Sequence, residues 1–335
     1  MEAGLTLEAQ LDAATGGVAF SADHAPGLLS VTGRDGLDLL HRISTNRLED
    51  LSPGMSRETI FTDAKGRLVD VATVGVLEDR IVLICSSGFE KKLMDWVEKF
   101  IITEDVAIKT LTAEFTIIKL IGPRAISTTS ALFEAEVSPE SVVEIKGGLG
   151  LIVAIASSSK RGDQVVLLTD GREGGGSVKE VGERVAKLGA LSLGKEAWDL
   201  YRIARGIPGA GTEISGRHNP YDVALIDLVS YTKGCYVGQE VIARLDTYQK
   251  VRKTLFGVRC SERPAGLELP VSLQKNAVQV GVCTSLSGSP FLGEHLGLAV
   301  LQQDAIIEGD VLSMVGLNQD VSCVVSSIPM EFASG

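Results

Sequence analysis

The side chain best suited to chemistry in this sequence is the thiol of Cys235, which lies between two glycines, Gly234 and Gly238. The run 239–245 that follows has the apolar spacing of a short helix, so the pattern places the thiol near a helix N-terminus. Positive potential from that helix and from Lys233 would favour the thiolate, the form that attacks electrophiles and binds metals. The alternative is a small apolar side chain buried in a turn, which is the usual place of a free cysteine.

A second candidate is Asp70, which lies in or at the start of a strand directly after the turn at Lys65 and Gly66. A carboxylate accepts hydrogen bonds from a ligand edge that is rich in N–H groups. A buried carboxylate can also orient an amine beside a reacting carbon. The alternative is an exposed aspartate at the end of a strand.

Three arginines are candidates for binding carboxylate groups. Arg202 and Arg205 lie in a predicted helix, 195–205, and guanidinium groups pair with carboxylates of the protein or of a ligand. Arg252 belongs to the stretch 250–253, the only dense basic stretch of an acidic chain. The alternatives are solvated arginines on the helix and a charged hinge at 250–253.

Charge and composition exclude several classes of protein. The chain has 335 residues, a net charge of −11 and a pI near 5.0, so it lacks the concentrated basic surface of a nucleic-acid-binding protein. No apolar run approaches the roughly 20 residues that span a bilayer. The N-terminus resembles neither a secretory signal nor an arginine-rich transit peptide. Walker, nucleophile-elbow and His-Glu-x-x-His motifs are also missing from the sequence.

The five cysteines are widely spaced and include no Cys-x-x-Cys pair. This spacing argues against a self-contained zinc or cluster site and against a disulfide framework, so a reducing compartment is expected. Four of them lie in apolar, strand-like runs and are predicted to be part of the core: Cys85, Cys260, Cys283 and Cys323.

Residues 28–120 alternate strand and helix patterns in the order βαβββαβ, which is typical of an α+β sandwich. Residues 125–250 also alternate helix and strand patterns, but in a less regular order. From residue 254 onward the helix signals vanish, and short strand runs separated by Gly, Pro, Ser and Asn predict a small barrel or sandwich.

The sequence Lys-Gly-Cys-Tyr-x-Gly-Gln-Glu at 233–240 resembles the signature of the YgfZ-type folate-binding proteins, which assist iron–sulfur cluster assembly and repair. The stretches 39–46, 62–70 and 202–208 resemble, in the same order, segments of that family and of its relative, the glycine-cleavage T-protein. The resemblance covers about residues 25–260 well. The motif residues are Lys233, Gly234, Cys235, Tyr236, Gly238, Gln239, Glu240 and Arg244.

The resemblance implies an α+β fold of the T-protein type, with two ferredoxin-like α+β domains and a C-terminal β-barrel around a central channel. The expected domains are residues 28–124, residues 1–27 together with 125–250, and residues 254–335. The second of these carries the cysteine motif.

The resemblance also implies tetrahydrofolate as the ligand and gives Cys235 and Asp70 the catalytic roles. Two features depart from the T-protein: its pair of aspartates reads Val69-Asp70 here, and Ala204 replaces a glutamate that contacts the folate ring there. Losing one charge-assisted hydrogen bond costs about 1.5–3 kcal/mol, so weaker folate binding is expected. The residues assigned to the cofactor are Asp70, Arg202, Arg205 and Arg252.

The first functional hypothesis is a protein that assists the assembly or repair of iron–sulfur enzymes, with Cys235 as a nucleophile or as a transient cluster ligand shared with a partner. No resident metal is expected, because one cysteine cannot hold a cluster alone. The alternatives are a tetrahydrofolate-dependent aminomethyl or one-carbon transferase that uses Asp70, and a non-catalytic adaptor that binds a scaffold protein through the Cys235 loop. The expected partners are a folate-type molecule and iron–sulfur assembly or client proteins, and the expected compartment is a chloroplast stroma, a mitochondrial matrix or a bacterial cytoplasm.

Overall fold

The computed structural model describes residues 5–22, 25–147, 150–170, 177–247, 252–316 and 321–331. The chain divides into two compact units. The first comprises Met1–Phe61, Asp70–Ala197 and Thr232–Val237, and the second comprises Thr62–Val69, Trp198–Tyr231 and Gly238–Gly335.

The helices and strands are numbered in chain order. The α-helices of the described residues are α1 (Leu7–Gly16), α2 (Gly36–Ile43), α3 (Glu90–Val97), α4 (Ala125–Phe133), α5 (Val178–Lys187), α6 (Lys195–Ala204) and α7 (Gln239–Thr247). The strands are β1 (Ala19–Ser21), β2 (Gly27–Thr32), β3 (Ser56–Thr62), β4 (Leu68–Val76), β5 (Ile81–Cys85), β6 (Ala107–Thr110), β7 (Phe115–Ile121), β8 (Val142–Gly147), β9 (Gly150–Ser159), β10 (Gly162–Asp170), β11 (Leu191–Ser192), β12 (Lys253–Cys260), β13 (Val271–Lys275), β14 (Val278–Leu286), β15 (His295–Gln302), β16 (Val311–Val315) and β17 (Val321–Ser326).

Two sheets form most of the first unit. One has six strands in the order β11-β1-β7-β10-β9-β8, and the other has five in the order β3-β4-β5-β2-β6. The strand pairs of these sheets whose register is described are antiparallel, except for the short parallel pair β1 and β11. Antiparallel hairpins such as β9–β10 and β4–β5 need only short connections, which is why polar turns separate the apolar runs.

The six-stranded sheet is covered on both faces. On one face, Leu120 of β7 packs in a cluster with Val181 of α5. On the other face, Ile117 belongs to a cluster that joins the two sheets, with Val82 from the five-stranded sheet and Val166 from the six-stranded one. A strand that is buried on both faces is apolar at nearly every position, so these runs lack the alternation of a half-exposed strand.

The second unit contains a closed barrel with the strand order β12-β15-β14-β13-β16-β17. Its strands alternate as a one-sided core requires: Leu312 and Met314 are buried, whereas Val311 and Val315 are exposed. The predicted α+β fold with a C-terminal β-barrel is confirmed. The predicted domain boundaries and the central channel stay predictions. No helix in the part of the chain that the structure describes has the length and apolar character of a membrane span.

Candidate functional site

Cys235 is exposed, and the other four cysteines are buried. The prediction that Cys85, Cys260, Cys283 and Cys323 belong to the core is therefore confirmed. Cys235 lies in the irregular segment 234–236, and α7 begins only at Gln239. The thiol is thus four residues before the first residue of α7, and α7 begins at the residue that the apolar spacing predicted.

Lys233 anchors the cysteine segment to the first unit. Its side chain is buried, and its Nζ donates hydrogen bonds to the carbonyl oxygens of His41, Ser44 (2.6 Å) and Asn46 (2.9 Å). The first two carbonyls lie at the C-terminus of α2, where helix carbonyls lack partners and the helix dipole is negative. The ammonium also lies 5.3 Å from the centre of the Tyr236 ring. Lys233 is therefore a structural anchor of the motif, and its burial lowers the pKa of its ammonium to about 8.

The two motif glycines have different roles. Gly238 has a φ of +84°, and a Cβ at this position would lie 2.5 Å from the carbonyl oxygen of Asp63, so only glycine fits against the β3–β4 turn. Gly234 has no positive φ, and a Cβ there would meet no atom within 4 Å. Backbone freedom therefore explains Gly238 but not Gly234. In the following helix, Glu240 and Arg244 form an exposed ion pair at 2.7 Å.

Asp70 lies on β4 and is completely buried. Its Oδ1 accepts a hydrogen bond from the backbone N–H of Val71 at 2.8 Å, and its Oδ2 accepts one from that of Ser86 at 3.2 Å. Burial outweighs these bonds and the attraction of Lys92 and raises the pKa of the Asp70 carboxyl to about 6. Cys85 is close enough for the Asp70 charge to add to the effect of burial, which raises the pKa of that thiol.

The Asp70 carboxyl predicts a pH dependence of stability. Because its pKa rises from 3.8 to about 6 on folding, the folded chain holds a proton that the unfolded chain has released between these values. This proton stabilises the folded chain below about pH 4. The stabilisation is lost as the pH rises through 6, which lowers the free energy of unfolding by about 3 kcal/mol. Urea unfolding of the unmodified chain and of Asp70→Asn at pH 4, 5, 6 and 7 measures it. The unmodified chain should lose stability relative to the variant across this range; a constant difference would contradict the prediction.

Arg202 lies within a buried network of the second unit that sequence patterns did not predict. Glu213 is completely buried and accepts hydrogen bonds at 2.8 Å from the backbone N–H of Gly209, the Thr212 hydroxyl and the Ser285 hydroxyl. The Arg202 guanidinium lies 3.6 Å from Glu213 and 2.7 Å from Asp199. A lone acid in a glycine- and threonine-rich loop, 209–213, is the only sequence signal for this network.

Comparison with known proteins agrees with this architecture. Residues 16–153 match the family model of the GCVT N-terminal domain. The crystal structure of the glycine cleavage system aminomethyltransferase T from Bartonella henselae superposes with a TM-score of 0.78 at 18% identity, covering 98% of this chain and 90% of that one. The chain has the fold of the aminomethyltransferase T protein. This likeness establishes the fold alone.

Sequence relatives extend over most of the chain. The Arabidopsis thaliana protein At1g60990, which is named a transferase and chloroplastic, is 28% identical over 308 residues, which is 90% of this chain and 69% of that protein. The aminomethyltransferase of Herpetosiphon aurantiacus is 24% identical over 305 residues, covering 89% of this chain and 82% of the relative. The chain is therefore aminomethyltransferase-like in sequence as well as in fold.

At the position where the resemblance to the T protein leads one to expect a glutamate, Ala204 is completely buried, and its carbonyl accepts a hydrogen bond from the Met330 N–H at 2.7 Å. Its side chain offers no acceptor. The neighbouring Arg205 is half-buried, and its Nε has no hydrogen-bond partner among the described residues.

The remaining basic candidates lie before the barrel. Arg252 is exposed, precedes β12, and lines a cavity with Arg67 and Arg217. Lys250, from the same basic stretch, lies outside the described residues. Within the described ranges, no three His, Cys, Asp or Glu side chains are grouped so that they could hold a metal ion.

Proposed function

We propose that this chain is a YgfZ-type protein that assists the assembly or repair of iron–sulfur enzymes and uses the Cys235 thiol to do so. The observation that supports the proposal is the contrast among its cysteines: four are buried, and the exposed one lies in a segment that Lys233 anchors through three carbonyls. An exposed thiol on an anchored segment can approach a second protein without unfolding of the chain.

Cys235 acts as a nucleophile or as a transient ligand in this proposal. A [2Fe–2S] or [4Fe–4S] cluster takes about four protein ligands, so the other ligands come from the partner protein. The name of the Arabidopsis relative supports a chloroplast stroma as the compartment, with a mitochondrial matrix or a bacterial cytoplasm as the other settings of such proteins.

Tetrahydrofolate is the proposed ligand, because relatives of this chain are named aminomethyltransferases. The side chains assigned to it fit poorly as they stand. Asp70 is completely buried with both oxygens accepting backbone hydrogen bonds, and Arg202 is held by two carboxylates of the protein. No step of the proposed function therefore passes through folate, and the contacts of Asp70, Arg202, Arg205 and Arg252 with it stay predictions.

Cys235→Ser tests the proposal in a bacterial strain that lacks its own YgfZ-type protein. The unmodified chain should restore the activity of an iron–sulfur enzyme, and the variant should leave it at the level of the empty vector, because a serine hydroxyl neither forms a thiolate nor binds iron as one. Cys260→Ala, a change at a buried cysteine, is the matched control and should restore activity if the protein accumulates. Equal restoration by Cys235→Ser would refute the role of the thiol.

A second candidate is aminomethyl transfer to tetrahydrofolate, which the family match over residues 16–153 favours. This reaction would depend on Asp70 and not on Cys235. The test is the production of methylenetetrahydrofolate from an aminomethyl donor. Activity that is lost in Asp70→Asn and retained in Cys235→Ser would establish aminomethyl transfer. Calorimetric titration with tetrahydrofolate separates both candidates from a pure adaptor, which would give no binding heat at millimolar ligand.

A further inference from the structure

A cavity of about 380 Å³ lies within the second unit. Of the residues assigned to the proposed function, Arg252 is the one that also lines this cavity. This volume is at the lower end of the range of small-molecule sites, about 300–1,000 Å³. Its lining residues are Arg67, Arg217, His218, Asn219, Tyr221, Asp222, Leu245, Arg252 and Lys253.

The lining concentrates positive charge in an acidic protein. Four cations line the cavity, Arg67, Arg217, Arg252 and Lys253, against the single carboxylate of Asp222. That carboxylate is already engaged: its Oδ2 accepts a hydrogen bond from the backbone N–H of Asn219 at 3.0 Å and lies 3.5 Å from Arg67. The lining therefore carries an excess of three positive charges, although the whole chain has a net charge of −11.

The remaining three cations, Arg217, Arg252 and Lys253, are exposed. Within the described ranges, no carboxylate forms an ion pair with any of them. The Arg217 guanidinium donates two long hydrogen bonds, each 3.4 Å, to the carbonyls of Gly211 and Thr212. Like charges around one cavity repel one another, and an anion between them removes that repulsion.

His218 gives an independent indication of a ligand. The residue is 7% exposed, it lines the cavity, and its Nε2 has no hydrogen-bond partner among the described residues. Burial lowers the pKa of the imidazole, so the ring is neutral at neutral pH and Nε2 can form one hydrogen bond. Buried polar atoms are nearly always paired in folded proteins, and a ligand oxygen would pair this one.

The walls of the cavity are held by hydrogen bonds that do not use the charged groups of Arg217, Arg252 or Lys253. The Arg67 guanidinium donates to the Arg217 carbonyl at 2.8 Å, and the backbone N–H of Leu68 donates to the His218 carbonyl at 2.9 Å. The Asn219 Oδ1 accepts a hydrogen bond from the backbone N–H of Tyr221 at 2.9 Å. A preorganised wall loses little conformational entropy when a ligand binds.

We propose that this cavity is a binding site for a small polyanion, a molecule with two or more oxyanion charges close together. Arg217, Arg252 and Lys253 bind its charged oxygens, and His218 Nε2 forms a hydrogen bond with one of them. Arg67 and Asp222 hold the wall. Phosphate groups and clustered carboxylates share this chemistry, and each is represented by its own probe below.

Calorimetric titration of the full chain with sodium pyrophosphate and, separately, with sodium tricarballylate tests the site, at an ionic strength kept constant with sodium chloride. One equivalent of at least one probe should bind, and the Nε2 resonance of His218 should shift in nitrogen-15 NMR spectra. Binding of pyrophosphate alone assigns the site to phosphates and binding of tricarballylate alone assigns it to carboxylates; either outcome upholds the proposal.

Arg217→Gln and Arg252→Gln should each weaken binding by about 10- to 100-fold, the effect of one lost charge-assisted hydrogen bond. Lys179→Gln is the matched control, because it makes the same charge change on the exposed face of α5 and should leave the affinity unchanged. The proposal is overturned if neither probe binds more tightly than chloride, or if Lys179→Gln weakens binding as much as the two cavity variants. The measurement involves no folate and no iron–sulfur enzyme, so its failure leaves the proposed role of Cys235 untouched.

Discussion

Replacing Lys233 with methionine is expected to lower the free energy of unfolding by about 3 kcal/mol or more. The carbonyls of His41, Ser44 and Asn46 would lose their shared donor, and a buried acceptor without a partner costs about 1–3 kcal/mol. Methionine fills a similar volume, so the change isolates the hydrogen bonds from the packing of the side-chain stem. Urea unfolding followed by circular dichroism at pH 7 measures the loss.

The matched control for this prediction is Lys91→Met. Lys91 is exposed and pairs with Asp95 at 2.9 Å, and an exposed ion pair contributes little to stability. The rate at which iodoacetamide alkylates Cys235 gives a second measurement, because a released segment samples more conformations and its rate should change in Lys233→Met only. Equal stabilities of the two variants would show that Lys233 does not anchor the segment.

Replacing Glu213 with alanine is expected to cost about 3–5 kcal/mol, which is typical when one partner of a buried ion pair is removed. The change leaves the partly buried Arg202 guanidinium without its fully buried counter-charge and removes the acceptor for Gly209, Thr212 and Ser285. Equilibrium unfolding in urea measures the cost. Ser285 belongs to β14, so the loss should also loosen that barrel strand in hydrogen exchange.

Glu240→Ala provides the comparison, since Glu240 also pairs with an arginine but is exposed. Its expected cost is below about 1 kcal/mol. A double-mutant cycle with Arg202→Met then isolates the pair: the double variant should be more stable than the two single costs added together predict. Additive costs would mean that Arg202 and Glu213 are not coupled.

Periodicity predicted the elements that have a strong pattern. The helix predicted at 195–205 runs from Lys195 to Ala204, and the helix predicted from residue 239 begins at Gln239. The all-β region predicted from residue 254 begins with β12 at Lys253. Strands with a weak alternation are harder to recognise. In β16 the outward residues Val311 and Val315 are apolar, which hides the alternation with buried Leu312 and Met314.

Cys235 was the part of the candidate site that sequence identified most directly, because its motif has a rare residue type at fixed spacing. The structure decided that this thiol is exposed and not buried. The role of Lys233 was not predictable in the same way. Sequence placed its charge beside Cys235, whereas the fold brings to its ammonium three carbonyls that lie at least 187 residues earlier in the chain.

Sequence by itself thus determined the α+β and all-β regions, the buried cysteines and the motif, because these depend on local periodicity and residue type. Tertiary structure alone decided which charges are paired. It buried Glu213 against Arg202, removed Asp70 from water, and gathered four cations from three distant stretches of the chain around one cavity. Hydrogen bonds and ion pairs form between atoms a few ångströms apart, and only the folded chain brings such distant residues that close.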